Sequence, residues 1–166
     1  MTVPMPATDA NPPGLDPRAE AELRALYQAL DAEVAALGPV CQLSGRCCRF
    51  KEHGHTLFVS APEAQLLLAG APRPQRAVDG GETCPWQDAR GHCTARDCRP
   101  LGCRVYYCDP SYEGLAYDLS ERYIARLKEL TDTHGLPWNY APLHRHIEIA
   151  RADGSYPGEQ AVHDPG

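Results

Sequence analysis

The chain has 166 residues, 43% of them hydrophobic, which fits one domain with a modest core. A formal charge of -6 gives no electrostatic reason to bind nucleic acid, and the most apolar run, AQLLLAGAP, is far too short to cross a bilayer. Sixteen Pro and fourteen Gly call for many turns, yet fall below the share at which a whole chain reads as disordered.

Residues 1–15 carry four Pro and read as a flexible N-terminal tail. They lack the basic start and apolar stretch of a signal peptide, so a cytoplasmic, reducing setting is expected. Asp16-Pro17 has the form of a helix start, with Asp as cap and Pro in the first helical position. Leu23, Leu26, Tyr27, Leu30, Val34 and Leu37 then recur at helical spacing, and Gly38-Pro39 ends the run. HTLFVS reads as a short strand, and Ser60 to Glu63 as a capping box opening a short helix that stops at Gly70. APRPQRAVDGGE is a loop. From Cys84 to Cys108, Pro85, Gly91, Pro100 and Gly102 exclude any long regular element, with CRVYY a candidate short strand. A further helix is predicted over about 115–133, with Leu119, Tyr123, Ile124, Leu127 and Leu130 on one side. No repeat of domain size is present. The expected architecture is a single small α-rich, metal-stapled domain over 16–150. Two main helices, one short helix and little strand surround cysteine-rich loops, and 151–166 form a flexible C-terminal tail.

The eight cysteines carry the functional signal. Cys41, Cys47 and Cys48 fall in CQLSGRCCRF; Cys84, Cys93, Cys98, Cys103 and Cys108 fall in CPWQDARGHCTARDCRPLGCRVYYC. The last four are spaced by five, a period that neither helix nor strand places on one face. In a reducing compartment, clustered thiols more often bind metal than pair as disulfides. Both tetrahedral zinc and common iron–sulfur clusters take four ligands, so eight thiols suffice for one site with spares or for two sites. Residues 41–108 hold nine Lys or Arg against six Asp or Glu in an otherwise acidic chain. Arg46, Arg49, Arg99 and Arg104 lie close to cysteines, where positive charge favours thiolate; the bland alternative is a solvated basic face.

CQLSGRCC followed by CPWQDARGHCTARDCRPLGCRVY resembles the YkgJ-type cysteine-cluster family, the CxxCxxCC zinc- or iron-chelating domain. The resemblance spans about residues 41–110 and rests on the vicinal Cys47-Cys48, Cys84-Pro85, GHC at 91–93 and RPLGCR at 99–104. It implies a small metal-chelating domain and little about biological role. The second cysteine of the family's naming pattern falls at Ser44, a poor soft-metal ligand. The first group therefore lacks four thiolates, and a four-sulfur site has to join Cys41, Cys47 and Cys48 with Cys84, Cys93 or Cys103. In this frame Cys98 and Cys108 are additions, available to replace the lost ligand or to complete a second centre.

Vicinal Cys47 and Cys48 diverge on an extended backbone, so they suit either a turn or two metals of one cluster; the latter tilts the expectation towards polynuclear iron over mononuclear zinc. His53, His55 and His92 are candidate nitrogen ligands, each against the commoner reading of an exposed loop histidine, while His134, His144 and His146 read as surface residues. Of Tyr106 and Tyr107, one is expected in the core and one in solvent. No Cys–His pair stands out as a nucleophile and base. The expected function is metal binding: iron, with an iron–sulfur cluster included, or zinc, held by thiolates from two separated segments. The alternatives are a structural zinc module acting as a protein-interaction adaptor, and an enzyme using the metal centre. Neither nucleic acid nor membrane is an expected partner, and no particular protein partner is indicated.

Overall fold

The computed structural model describes residues 14–39, 46–107 and 109–158. Helix α1, Pro17–Leu37, begins where expected: the Asp16 carboxylate accepts from the Arg18 and Ala19 amides at 3.1 and 3.3 Å. It ends at Gly38, whose φ of 66° lies in the left-handed region that glycine enters without penalty. Leu23, Leu26, Tyr27, Leu30 and Val34 are buried along one side. Strand β1, Phe58–Val59, runs into α2, Ala61–Gly70, and pairs antiparallel with β2, Ala141–Pro142. Helix α4, Glu113–Thr133, lies against α1 and buries Leu119, Tyr123, Leu127 and Leu130.

Two elements differ from expectation. CRVYY does not form a strand: its first three residues belong to helix α3, Leu101–Val105. The reason is tertiary. The buried Glu63 carboxylate accepts the Leu101 amide at 2.7 Å, satisfying a helix N-terminal donor that sequence cannot see paired. A fifth helix, α5, Leu143–Asp153, follows β2 and reaches past the expected domain end at 150. Leu143, Ile147 and Ala150 have the helical spacing that marks it, and all three are buried. With α5 comes a correction for His146, which is only 6% exposed and bonds through Nε2 to the Val59 carbonyl at 2.7 Å. Tyr107 packs against the core and Tyr106 is exposed, dividing as expected.

The apolar residues separate into two clusters. One joins α1, α3 and α4 with Leu66 of α2; the other gathers Val59, Leu67, Trp86, Leu143, Ile147 and Tyr156 around Cys48, Cys84 and Cys98. Thus α2 spans both, and the cysteine loops form part of the second. Among the described residues no helix is long and apolar enough to cross a membrane.

Candidate functional site

Three short structures bring the thiols in. Residues Arg46–Cys48 form a 3₁₀ turn, so Cys47 and Cys48 sit on tightly wound backbone and their sulfurs lie 4.0 Å apart. This segment is laced to the second cysteine stretch by Cys84 N–H to Cys48 O at 2.8 Å and Lys51 N–H to Glu82 O at 3.1 Å. From Cys84 the chain enters a tight hairpin in which Gln87 and Cys93 bridge. The Asp88 carboxylate accepts the Arg90 and His92 amides, each at 2.9 Å, and Thr94 caps the Trp86 carbonyl through N–H and hydroxyl at 2.9 and 2.6 Å. Cys103 arrives on α3.

Helix α3 is the most firmly fixed of these. Glu63, 1% exposed, takes the Tyr27 hydroxyl at 3.0 Å and the Leu101 amide at 2.7 Å on one oxygen. Its other oxygen takes the Ser60 amide and hydroxyl at 3.1 and 3.0 Å. Burying a carboxylate is costly unless it is fully bonded, and here four donors converge on it. Arg104 adds a second tie: it reaches Asp31 of α1 at 2.7 Å and the Arg99 and Asp97 carbonyls at 2.7 and 3.0 Å, over the Tyr27 ring.

Cys48 stands where the two cysteine segments meet: its sulfur is 4.0 Å from that of Cys47, and its carbonyl accepts the Cys84 amide at 2.8 Å. The neighbouring Cys48 thiol lowers the pKa of both Cys93, to about 6, and Cys47, to about 7. The proton is correspondingly hard to remove from Cys48, whose pKa is raised. Arg99 favours thiolate at both Cys47 and Cys93, and Arg96 adds to the effect at Cys93. Cys103 is pushed well up by desolvation and then by negative charge on Cys84, Cys47 and Cys93, which marks it as the fifth member of the group.

Not every predicted site residue is here. Cys98 lies apart, its sulfur near Arg24 and 3.0 Å from where a Cβ on Gly70 would stand. Cys41 and Cys108, with Ser44, lie outside the described residues. The spacing of five therefore has no single cause: Cys93 belongs to the hairpin, Cys98 to the 3₁₀ turn Arg96–Cys98, and Cys103 to α3. His55 lies beside the Cys47 backbone, its Nε2 3.3 Å from the Cys47 carbonyl and its ring stacked on Tyr106. His53 pairs with Glu52 at 3.7 Å, and His92 is exposed. Among the arginines near cysteines, Arg99 favours thiolate in the group, Arg49 pairs with Glu52 and Arg104 fastens α3. Glu63 is readable as a capping residue; its bonds to Tyr27 and Leu101, 36 and 38 residues away, carry no local signal.

Among the described residues all six cysteines are free thiols, and no three His, Cys, Asp or Glu side chains already stand as a metal-holding group. The donors nevertheless suit a soft ion. A tetrahedral zinc with bonds of about 2.3 Å separates its sulfurs by about 3.8 Å, and Cys47 and Cys48 are 4.0 Å apart. Neither a family model, nor a curated protein, nor a solved structure matches this chain.

Proposed function

We propose that the protein is a cysteine-cluster metal-binding protein, in keeping with its resemblance to the YkgJ-type family, and that it chelates iron or zinc through thiolates from two separated segments. The observation that carries this is the meeting of the two cysteine segments: the Cys47 and Cys48 sulfurs lie 4.0 Å apart, and the Cys84 amide donates to the Cys48 carbonyl at 2.8 Å. Four thiolates are a full set for zinc, for a single iron, or for an iron–sulfur cluster. The 3₁₀ turn Arg46–Cys48 brings the vicinal sulfurs to within 4.0 Å of each other. This favours one four-coordinate ion over the polynuclear arrangement that a diverging vicinal pair would require.

Within such a centre Cys48, Cys84, Cys93 and Cys47 are the ligands, with Cys103 beside them, and the ion contributes charge neutralisation and folding energy. The chain's own part is to strip water from the sulfurs within the second apolar cluster and to offset thiolate charge with Arg99 and Arg96.

Metal content of single variants tests the assignment. Cys48→Ser and Cys84→Ser are expected to lose the metal, and Cys98→Ser to retain it at wild-type stoichiometry. Equal loss in all three, or in none, would refute the assignment.

A further inference from the structure

Beside the thiols lies a cleft of about 210 Å³, lined by His55, Thr56, Phe58, Gly102, Tyr106 and Tyr140 among others. Of the four exposed Phe, Tyr or Trp side chains among the described residues, Phe58, Tyr106 and Tyr140 line this one opening, and the fourth, Tyr117, lies on α4. Single exposed rings are ordinary, whereas three around one concavity mark a place for a ligand. The rings are held in pairs: His55 stacks on Tyr106 at 5.1 Å and 21°, and Phe58 on Tyr140 at 5.6 Å and 28°. At Gly102 the wall is bare backbone, and an added Cβ there would come within 2.7 Å of the Leu57 side chain.

His55 adds a polar demand to these walls. Its Nε2 lies 3.3 Å from the Cys47 carbonyl, which can only accept, so Nε2 carries the proton. In the neutral ring Nδ1 then holds a lone pair, and that atom is buried with no hydrogen-bond partner among the described residues. Tyr106 and Phe50 pack on the ring and supply no donor to it. Buried acceptors are rarely left unpaired, so Nδ1 calls for an O–H or N–H donor. We propose that this cleft binds a small molecule with one aromatic ring carrying such a donor: the ring lies against Phe58, Tyr106 and Tyr140, and the donor bonds to His55 Nδ1. Size agrees, since an apolar cavity of about 150 Å³ is enough to hold benzene, and this cleft exceeds it. Neither an ion nor a thiol takes part, so the site is independent of metal binding.

NMR titration of the isotope-labelled full chain with phenol, anisole and cyclohexanol reads both affinity and place, and shifts are expected at the Thr56 and Gly102 amides. Anisole keeps the ring and loses the donor, so phenol should bind about three- to tenfold more tightly, the worth of one hydrogen bond. Cyclohexanol keeps the hydroxyl and loses the aromatic ring, and should bind at least about threefold more weakly than phenol. His55→Phe retains a ring against Tyr106 and removes the acceptor, so the phenol-to-anisole ratio should fall to about one. Tyr140→Ala should weaken phenol and anisole alike, about three- to tenfold, with their ratio kept. N-acetyltyrosinamide separates a free small molecule from the tyrosine side chain of a protein partner, and is expected to bind more weakly than phenol. Equal affinity for phenol and anisole in the wild type, an unchanged ratio in His55→Phe, or no effect of Tyr140→Ala would overturn the proposal. So would cyclohexanol equal to phenol, tighter binding of N-acetyltyrosinamide, or shifts confined to another surface.

Discussion

Glu63 shows how much one side chain can decide. Its carboxylate is the meeting point of α1, through Tyr27, of the start of α2, through Ser60, and of α3, through Leu101. Truncation to Ala strands buried donors on all three. Glu63→Ala is therefore expected to lower unfolding free energy by about 3 kcal/mol, measured by urea denaturation of the metal-free protein. A loss under 1 kcal/mol would mean that water or other groups replace the carboxylate. Arg104 makes the companion case. A lysine in its place keeps the charge but not the planar fork that reaches Asp31 and two carbonyls together. Arg104→Lys should cost about 2 kcal/mol in the same assay, and wild-type stability would show that charge alone suffices.

At the level of elements, legibility follows locality. Asp16-Pro17 and Gly38 bracket α1 because capping acts within one turn, and the Ser60–Glu63 pair marks α2 for the same reason. Helix α3 is hidden from a local reading because its amide partner is a glutamate far off in sequence. Helix α5 escapes although Leu143, Ile147 and Ala150 display its period, because its polar face dominates a short segment. The thiol group is legible in part: the two cysteine segments do meet, whereas the departure of Cys98 depends on how its 3₁₀ turn sits beside Gly70. The hairpin that presents Cys93 has its own signature in pH. Backbone donation from His92, then from Arg90, holds the Asp88 carboxyl below its ordinary range. A depressed carboxyl stabilises the fold above its unfolded pKa and loses that contribution as pH falls through the lower folded value. Hydrogen exchange at the His92 amide should consequently lose protection on acidification below about pH 4, beyond the intrinsic pH dependence of exchange, and Asp88→Asn should remove that extra loss. Identical profiles in the two proteins would show the turn to be held by other forces.

For the whole molecule, the two apolar clusters differ in kind. The cluster of α1, α3 and α4 is built of leucines, tyrosines and valines, while the other includes three cysteines among its buried members. A metal bound there would act as a staple between loops whose own apolar area is limited, so chelation should lower thermal stability and loosen the second cluster first. Fluorescence of Trp86, fully buried in that cluster, is the reporter, with Trp138→Phe removing the other tryptophan. Unchanged emission and melting temperature after chelation would separate metal from fold. The most direct measurement is elemental analysis, with an absorption spectrum, of the full chain purified without oxygen. About one equivalent of tightly held zinc or iron without inorganic sulfide is expected, in proportion to thiols protected from alkylation. Metal-free protein with its cysteines paired to one another would contradict it.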